Sequence, residues 1–324
     1  MQDFAGKIAV VTGGGTGMGR ELARQLIAEG CSVAMCDVST RNMAETIALC
    51  EADGVPQGAR ITAHQADVSD EGQLIAFRDA AAVAHDTDKI HLLFNNAGIG
   101  GGGSMIADSR EEWERTFNVC WGGVYLGVRT FLPMLQAADQ AHIVNTSSVN
   151  GFWASLGPSV SHTSYAAAKF AVKGFSEALI TDLALNAPHI KVSVVMPGHI
   201  GTSIVANSRK VMTGRDEDTL SEDDLARARA RIARMGIDVT QIADDALQAM
   251  VAEQARRFLE EAPMTAAAAA TVILDGVKAD RWRILVGEDA HKMDTLVRKD
   301  PEAAYSPEFF AVLATEVGWR LGGS

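Results

Sequence analysis

Between a β-branched run, Lys7 to Thr12, and a helical pattern starting at Arg20 lies the turn Thr12-Gly13-Gly14-Gly15-Thr16-Gly17-Met18-Gly19. Glycine lets a backbone turn tightly and approach a ligand, and the free N–H groups of the helix that follows attract a pyrophosphate. Such a turn is a weak signal alone, so its context carries the argument. A buried strand precedes it, Arg20 to Leu26 places apolar residues at helical spacing, and a second strand, Ser32 to Cys36, ends at Asp37. An acid about 20 residues beyond the glycines can accept both hydroxyls of an adenosine ribose. Asp37 could also merely cap the next turn. The dinucleotide reading takes in Gly13, Thr16, Gly17, Met18, Gly19, Asp37 and Val38, and it favours NAD, because a 2′-phosphate would meet the carboxylate. Arg41 and Arg20 are the nearby cations that leave some use of NADP open.

Strand-like runs recur at Arg60–Ala66, His91–Asn95, His142–Thr146, Lys191–Met196 and Arg283–Val286, mostly separated by helical patterns. Alternation of this kind predicts an α/β fold with a doubly wound parallel sheet, ligands binding at the carboxyl ends of the strands. The motifs sit at those ends. Asp67-Val68 can face an adenine edge or start a helix cap. Asn95-Asn96-Ala97-Gly98 lets the chain pass close to a flat ligand, or only ends a strand; Gly100 to Gly103 then forms a rim. A helix is expected over about Glu111 to Leu135, with Gly122, Gly123 and Gly127 explained by close packing on another helix.

Tyr165 and Lys169 are four apart, so on a helix they share a face. A fixed cation beside a phenol favours the phenolate, bringing its pKa of about 10 toward neutrality. Ser148, just past Thr146, offers a neutral hydroxyl to a substrate oxygen. An Ala-rich helix carrying a chance Tyr and Lys is the bland alternative.

Thr12-Gly-x-x-x-Gly17-x-Gly19, Asn95-Asn-Ala-Gly98, Ser148, Tyr165-x-x-x-Lys169 and Pro197-Gly198-x-x-x-Thr202 occur in this order, and over Phe4 to Thr202 the chain resembles the short-chain dehydrogenase/reductase superfamily. The resemblance implies a single Rossmann-type domain and a nicotinamide cofactor. It also implies assembly as a homodimer or homotetramer. It makes Tyr165 the general acid/base, and Lys169 the residue that tunes it and holds the nicotinamide ribose. Ser148, rather than Ser147, is then the donor to the carbonyl oxygen, since Gly151 follows it at the family's offset. Pro197, Gly198, Ile200 and Thr202 match the segment that meets the nicotinamide carboxamide, with His199 giving backbone and a wall. Two features depart from the pattern. The interval from Ser148 to Tyr165 carries an extra loop, Phe152 to Pro158. Where the family has a relay asparagine stands Cys120, with Asn118 two residues earlier as a weak candidate.

The net charge of −12 argues against nucleic acid or an anionic membrane as partner. A small-molecule alcohol or ketone fits better. No C-x-x-C pair or metal-ligand spacing occurs, and Cys31, Cys36, Cys50 and Cys120 read as buried thiols. The start, Met1-Gln2-Asp3-Phe4, lacks the marks of a signal peptide and no run is long enough to span a membrane, so a cytoplasmic location is expected. The charged, helical segment 203–263, with a capping box at Ser221-Glu222-Asp223-Asp224, is expected to form a lid over the substrate, and 288–324 an amphipathic tail. Phe152, Trp153, Leu156 and Ile204 are expected at an apolar rim suited to an alicyclic, aromatic or steroid-like alcohol. The expected activity is NAD-dependent interconversion of a secondary alcohol and its ketone. The alternatives are a biosynthetic carbonyl or imine reductase, and a dinucleotide-binding regulator without turnover.

Overall fold

The structure, a computed structural model, describes residues 1–101, 103–214, 219–234, 238–239 and 242–321. Gly102 of the glycine rim, residues 215–218 of the charged insertion, and Met235, to which the insertion's first helical pattern runs, lie outside the described residues. In chain order the elements are β1 (Ile8–Thr12), α1 (Gly17–Ala28), β2 (Ser32–Asp37), α2 (Thr40–Asp53), β3 (Ile61–Gln65), α3 (Glu71–His85) and β4 (Leu92–Asn95). Then follow α4 (Arg110–Phe117), α5 (Gly123–Gln136), β5 (Ala141–Thr146), α6 (Thr163–Asn186), β6 (Ile190–Pro197) and β7 (Ile200–Gly201). The insertion supplies α7 (Ile204–Thr213), α8 (Glu222–Arg234), α9 (Asp244–Glu260) and β8 (Met264–Thr265). The chain ends with α10 (Ala266–Lys278), β9 (Arg283–Val286), α11 (Glu288–Lys299) and α12 (Pro307–Val312).

The seven long strands pair in parallel in the order β3-β2-β1-β4-β5-β6-β9. Each interior strand is covered by helices on both faces, which is why β1, β4 and β6 read as nearly continuous apolar runs rather than alternating ones. The order reverses between β1 and β4, and a crevice opens there at the strands' carboxyl ends. Two large clusters fill the faces, one around Phe77, Phe131 and Ile143, the other around Leu26, Phe94 and Ile273. A third joins the tail to the loop after β5: Trp153, Met293, Phe309, Leu313 and Trp319. The tail therefore packs on its own chain.

The expected helix over Glu111–Leu135 is broken by a π-helical turn at Asn118–Gly122. Two of its three glycines face segments at strand ends, not another helix: a Cβ on Gly123 would lie 2.6 Å from Val68 Cγ2, and one on Gly127 2.2 Å from Asn95 Oδ1, while one on Gly122 would meet only Asn118 of its own turn. The close packing was legible; its partner was not. In the insertion, the capping box forms as expected, the Ser221 Oγ accepting from Asp224 N (3.2 Å) and Asp224 Oδ2 from Ser221 N (3.0 Å). Two features there were not foreseen, the helix α7 and the short β7–β8 pairing, which ties the entry of the insertion to its exit.

Candidate active site

The glycine turn is held from below by Thr12 and Asn96. Thr12 Oγ1 accepts from the amides of Asn96 and Ala97 (both 3.0 Å), and Asn96 Nδ2 donates back to the Thr12 carbonyl (3.1 Å). Gly13 and Gly17 lie at positive φ, 68° and 55°. A Cβ on Gly19 would fall 2.0 Å from the Gly13 carbonyl oxygen, so the start of α1 sits directly against the turn. Helices α2, α3 and α4 are capped by Ser39, Asp70 and Ser109, but Thr16 makes no cap to α1. Its first amides, including those of Met18 and Gly19, are left without a side-chain acceptor and face the crevice, as an anion site needs. Beside them lies a cleft of about 420 Å³ lined by Thr16, Gly17, Arg41, Thr202, Asn207 and Lys210.

Asp37, at the end of β2, does not line that cleft but packs against the glycine turn. Its Oδ2 accepts from Gly15 N and its Oδ1 from Ser39 N, both at 3.0 Å, so it shapes the glycine turn. Burial pushes its pKa up, against the pull of the amides of Ser39 and Gly15. Val38 beside it is exposed. Arg20 is committed elsewhere: its guanidinium holds the Gly15 carbonyl (2.7 Å) and Glu45 (3.0 Å). Arg41, at the cleft's edge, is largely exposed, with Glu45 3.7 Å away.

Several expected cofactor residues are placed otherwise. Asn95 turns its side chain into the core, where Nδ2 donates to Asn145 Oδ1 (2.9 Å) and Asn145 in turn to Ser176 Oγ (3.0 Å). This chain of amides fastens β4, β5 and α6 together, so the Asn95 side chain is removed from the crevice. Asp67 pairs with Arg115 (2.6 Å) and accepts from the Ser69 amide and hydroxyl. Burial alone would push its pKa up, but Arg115 and Ser69 bring it below the usual carboxylate range. The helix cap is Asp70, and Val68 packs beneath α5. The side chains of Asp67 and Val68 are thus committed to contacts within the protein. Ile200 is buried in β7. Thr202 lines the cleft and meets Gly17, while Gly198 lies so close to Asp289 that a Cβ would fall 2.3 Å from its carboxylate. Asp289, near the start of α11, also accepts from His199 N at 2.7 Å and so clamps the Pro197–His199 segment from the tail side.

At the reacting end, α6 carries Tyr165 and Lys169 on one face. Lys169 is 2 % exposed, its Nζ donating to the Thr146 carbonyl at 2.8 Å and lying 5.3 Å from the Tyr165 ring centre. Ser148 is an extended residue capping the turn Val149–Gly151; its Oγ accepts from Asn150 N (3.1 Å), which leaves its hydroxyl hydrogen to donate outward. Ser147 is a different case, since its hydroxyl is spent on the Lys169 carbonyl (2.7 Å). The expectation that Lys169 alone would draw the phenol toward neutrality is not met. Burial pushes Tyr165 above its usual value, the neighbouring Cys120 adds to the rise, and Ser148 beside it pulls the other way. Burial lowers Lys169 as well.

Cys120 is fully buried, donates to the Ile99 carbonyl (3.1 Å), and shares with Lys169 Nζ the space above Gly98. Asn118 lies on the exposed face of the π turn and takes no part. The His199 ring is turned to the insertion, its Nε2 bonded to the Phe258 carbonyl of α9 (2.8 Å). Sequence reading missed His162, whose ring packs 4.6 Å from that of Tyr165 and whose pKa burial lowers to about 4. It also missed α7, which bridges the crevice: Asn207 donates to Thr16 Oγ1 (2.8 Å), and Ser208 Oγ accepts from Gly100 N (2.7 Å). Both contacts cross large sequence separations, which no local pattern announces. Trp153 is no rim residue; it is wholly buried under the tail.

A phosphate-seeking helix start at the switch point of a parallel sheet, with a phenol, an ammonium and a serine hydroxyl gathered beside it, defines a dinucleotide-dependent enzyme fold equipped for proton transfer. Comparison with known proteins is narrower. The family model for short chain dehydrogenases matches residues 7–213, and the chain belongs to that family. A protein of Mycobacterium tuberculosis named as an oxidoreductase, SadH, is 33% identical over 298 residues, 92% of each chain. The 3-alpha-(or 20-beta)-hydroxysteroid dehydrogenase of the same organism is 34% identical over 197 residues, 61% of this chain and 70% of that one. A short-chain dehydrogenase/reductase from Burkholderia phymatum, solved with NAD, superimposes with a TM-score of 0.74 at 31% identity, covering 95% of this chain and 98% of that one. Among the described residues no helix is long and apolar enough to cross a membrane.

Proposed function

We propose that the protein is an NAD-dependent oxidoreductase interconverting a secondary alcohol and its ketone on an apolar, alicyclic, aromatic or steroid-like substrate. The observation that carries this reading is the convergence of Ser148, Tyr165 and Lys169 beside the uncapped start of α1. Gly13 to Gly19 would take the pyrophosphate and Asp37 the adenosine ribose. Lys169, with one N–H on the Thr146 carbonyl, keeps others for the nicotinamide ribose. When bound, the nicotinamide accepts or returns a hydride.

The chain's own groups handle the proton. Ser148 donates to the substrate oxygen and fixes it next to the Tyr165 hydroxyl. In reduction Tyr165 gives its proton to that oxygen; in oxidation the phenolate takes it back. The buried Lys169 ammonium stabilises the phenolate while it lasts. Carbonyl reduction is the second reading of the physiological direction, since the same groups serve both directions. A hydroxysteroid dehydrogenase among the relatives supports the apolar substrate class.

The test follows NADH absorbance with a panel of alicyclic, aromatic and steroid alcohols and the matching ketones. Turnover with at least one pair is expected, and none across the panel, with NADH bound, would overturn the proposal in favour of a binding protein without turnover. Faster ketone reduction than alcohol oxidation at neutral pH would select the reductive direction.

A further inference from the structure

The loop that leaves Ser148 is held only in part from within, by Phe152 N and Trp153 N donating to the Val149 carbonyl and Gly157 N to Ser155 Oγ. After the single turn Val149–Gly151 the segment Phe152–Gly157 is irregular, and buried backbone in an irregular segment needs partners from elsewhere. They come from the C-terminal tail, about 150 residues away and beyond the residues the family model covers. Trp153 Nε1 donates to the Ala304 carbonyl (2.8 Å), Ala154 N donates to the Tyr305 hydroxyl (3.1 Å), and Trp319 Nε1 donates to the Leu156 carbonyl (2.8 Å). The Trp153 indole is wholly buried, its ring centre 6.1 Å from that of Phe309, 6.0 Å from Phe310 and 6.4 Å from Trp319.

The same loop sets the serine. Asn150 N is the donor to Ser148 Oγ, and the Asn150 side chain is fixed by the carbonyls of Trp153 (3.0 Å) and Ser155 (2.6 Å). A continuous set of bonds therefore runs from Ala304, Tyr305 and Trp319 through Trp153–Leu156 to Asn150, and from Asn150 to the hydroxyl that would hold the substrate oxygen. We propose that Trp153, Tyr305 and Trp319 are positioning residues for Ser148, so that the tail sets the geometry of the catalytic serine and the adjoining substrate wall. The proposal rests on the reading of Ser148 as the donor to the substrate oxygen. A hydroxyl misplaced by an ångström loses much of its effect on a transition state, so this tail acts on turnover without touching the cofactor.

The experiment uses the full chain carrying Tyr305→Phe and Trp319→Phe together, which removes two of the three bonds and keeps apolar rings in the cluster. Tyr305→Phe alone is the second variant; Tyr305 is 53% exposed, so its loss leaves the fold intact. Hydrogen exchange, read without any substrate, is expected to quicken at least tenfold in the double variant across 149–157 and to stay unchanged across 12–37. On a substrate pair from the panel, kcat per folded site is expected to fall about tenfold while the NADH Kd stays within twofold. Tyr305→Phe should show the same pattern at smaller size. Unchanged exchange at 149–157 overturns the proposal even if the panel contains no substrate, a result that would count separately against the activity. Faster exchange with kcat within twofold of the unmodified enzyme also overturns it, leaving the tail as packing only.

Discussion

Gly13 and Gly6 share one backbone conformation and differ in their surroundings, which makes them a matched pair. Both lie at φ 68°; a Cβ on Gly6 would meet nothing within 4 Å, whereas on Gly13 it would fall 2.8 Å from Ala97 Cα. Gly6→Ala therefore reports conformational strain alone, on the order of 1 kcal/mol for a left-handed alanine. Gly13→Ala adds overlap with backbone that cannot rotate away, because the Ala97 amide is fixed on Thr12 Oγ1 at 3.0 Å. Overpacking of that kind costs about 1–3 kcal/mol, for a total of about 2–4 kcal/mol. In a domain this large, 1 kcal/mol moves Tm by ~2 °C, so thermal unfolding should show losses of ~2 °C for Gly6→Ala and ~4–8 °C for Gly13→Ala. NADH titration should separate them further, since the displaced turn carries the amides meant for the pyrophosphate. A Kd at least tenfold weaker is expected for Gly13→Ala, and an unchanged one for Gly6→Ala. Equal Tm losses with equal NADH affinity would refute both the close contact at Ala97 and the placement of the cofactor against it.

Tyr165→Phe removes the proton-transfer group only, so turnover should fall ~10²–10⁴-fold with NADH affinity retained; more than a few per cent of residual activity would sink the assignment. The unmodified enzyme should favour NAD over NADP in kcat/KM, and Asp37→Ser with Val38→Arg should shift the preference toward NADP. Because Asp37 also accepts from Gly15 N, that variant should bind NAD more weakly through a loosened turn. Equal efficiency of the unmodified enzyme with both cofactors would contradict this account. Asn207→Ala frees α7 from Thr16 and should speed release of NADH several-fold in stopped-flow displacement; an unaltered rate would show that α7 does not restrain the glycine turn. Burial lowers His142 to about 4 in the fold, against about 6.5 in an open chain. A depressed folded value means that stability is full above the unfolded pKa and is lost as pH falls toward 4. His142→Gln should remove about 2 kcal/mol of that acid dependence, as read from urea midpoints at pH 7 and 4.5. An identical slope with and without His142 would contradict its burial as a neutral ring.

The sequence by itself determined the parallel sheet, the crevice and the shared helical face of Tyr165 and Lys169, because each of these is written in local periods. Apolar strand runs specify burial on both faces, the glycines specify a turn no other residue tolerates, and the four-residue interval places Tyr165 and Lys169 on one side of α6. Ser148 is set apart from Ser147 by its offset from Gly151, and in the fold the Ser147 hydroxyl is bonded to the Lys169 carbonyl. What the sequence could not carry were properties set by neighbours far along the chain. Asn95 stands in the motif where a cofactor residue is expected, yet Asn145 draws its side chain inward. Trp153 has the composition of a rim residue, and only the tail's rings and the Ala304 carbonyl make it a core residue. The charge state of Tyr165 depends on how much protein surrounds it, a sum over the whole fold, so the ammonium four residues away did not decide it. Helical spacing states which way a side chain leaves the backbone; desolvation and long-range hydrogen bonds, which decide what it meets there, exist only once the chain has folded.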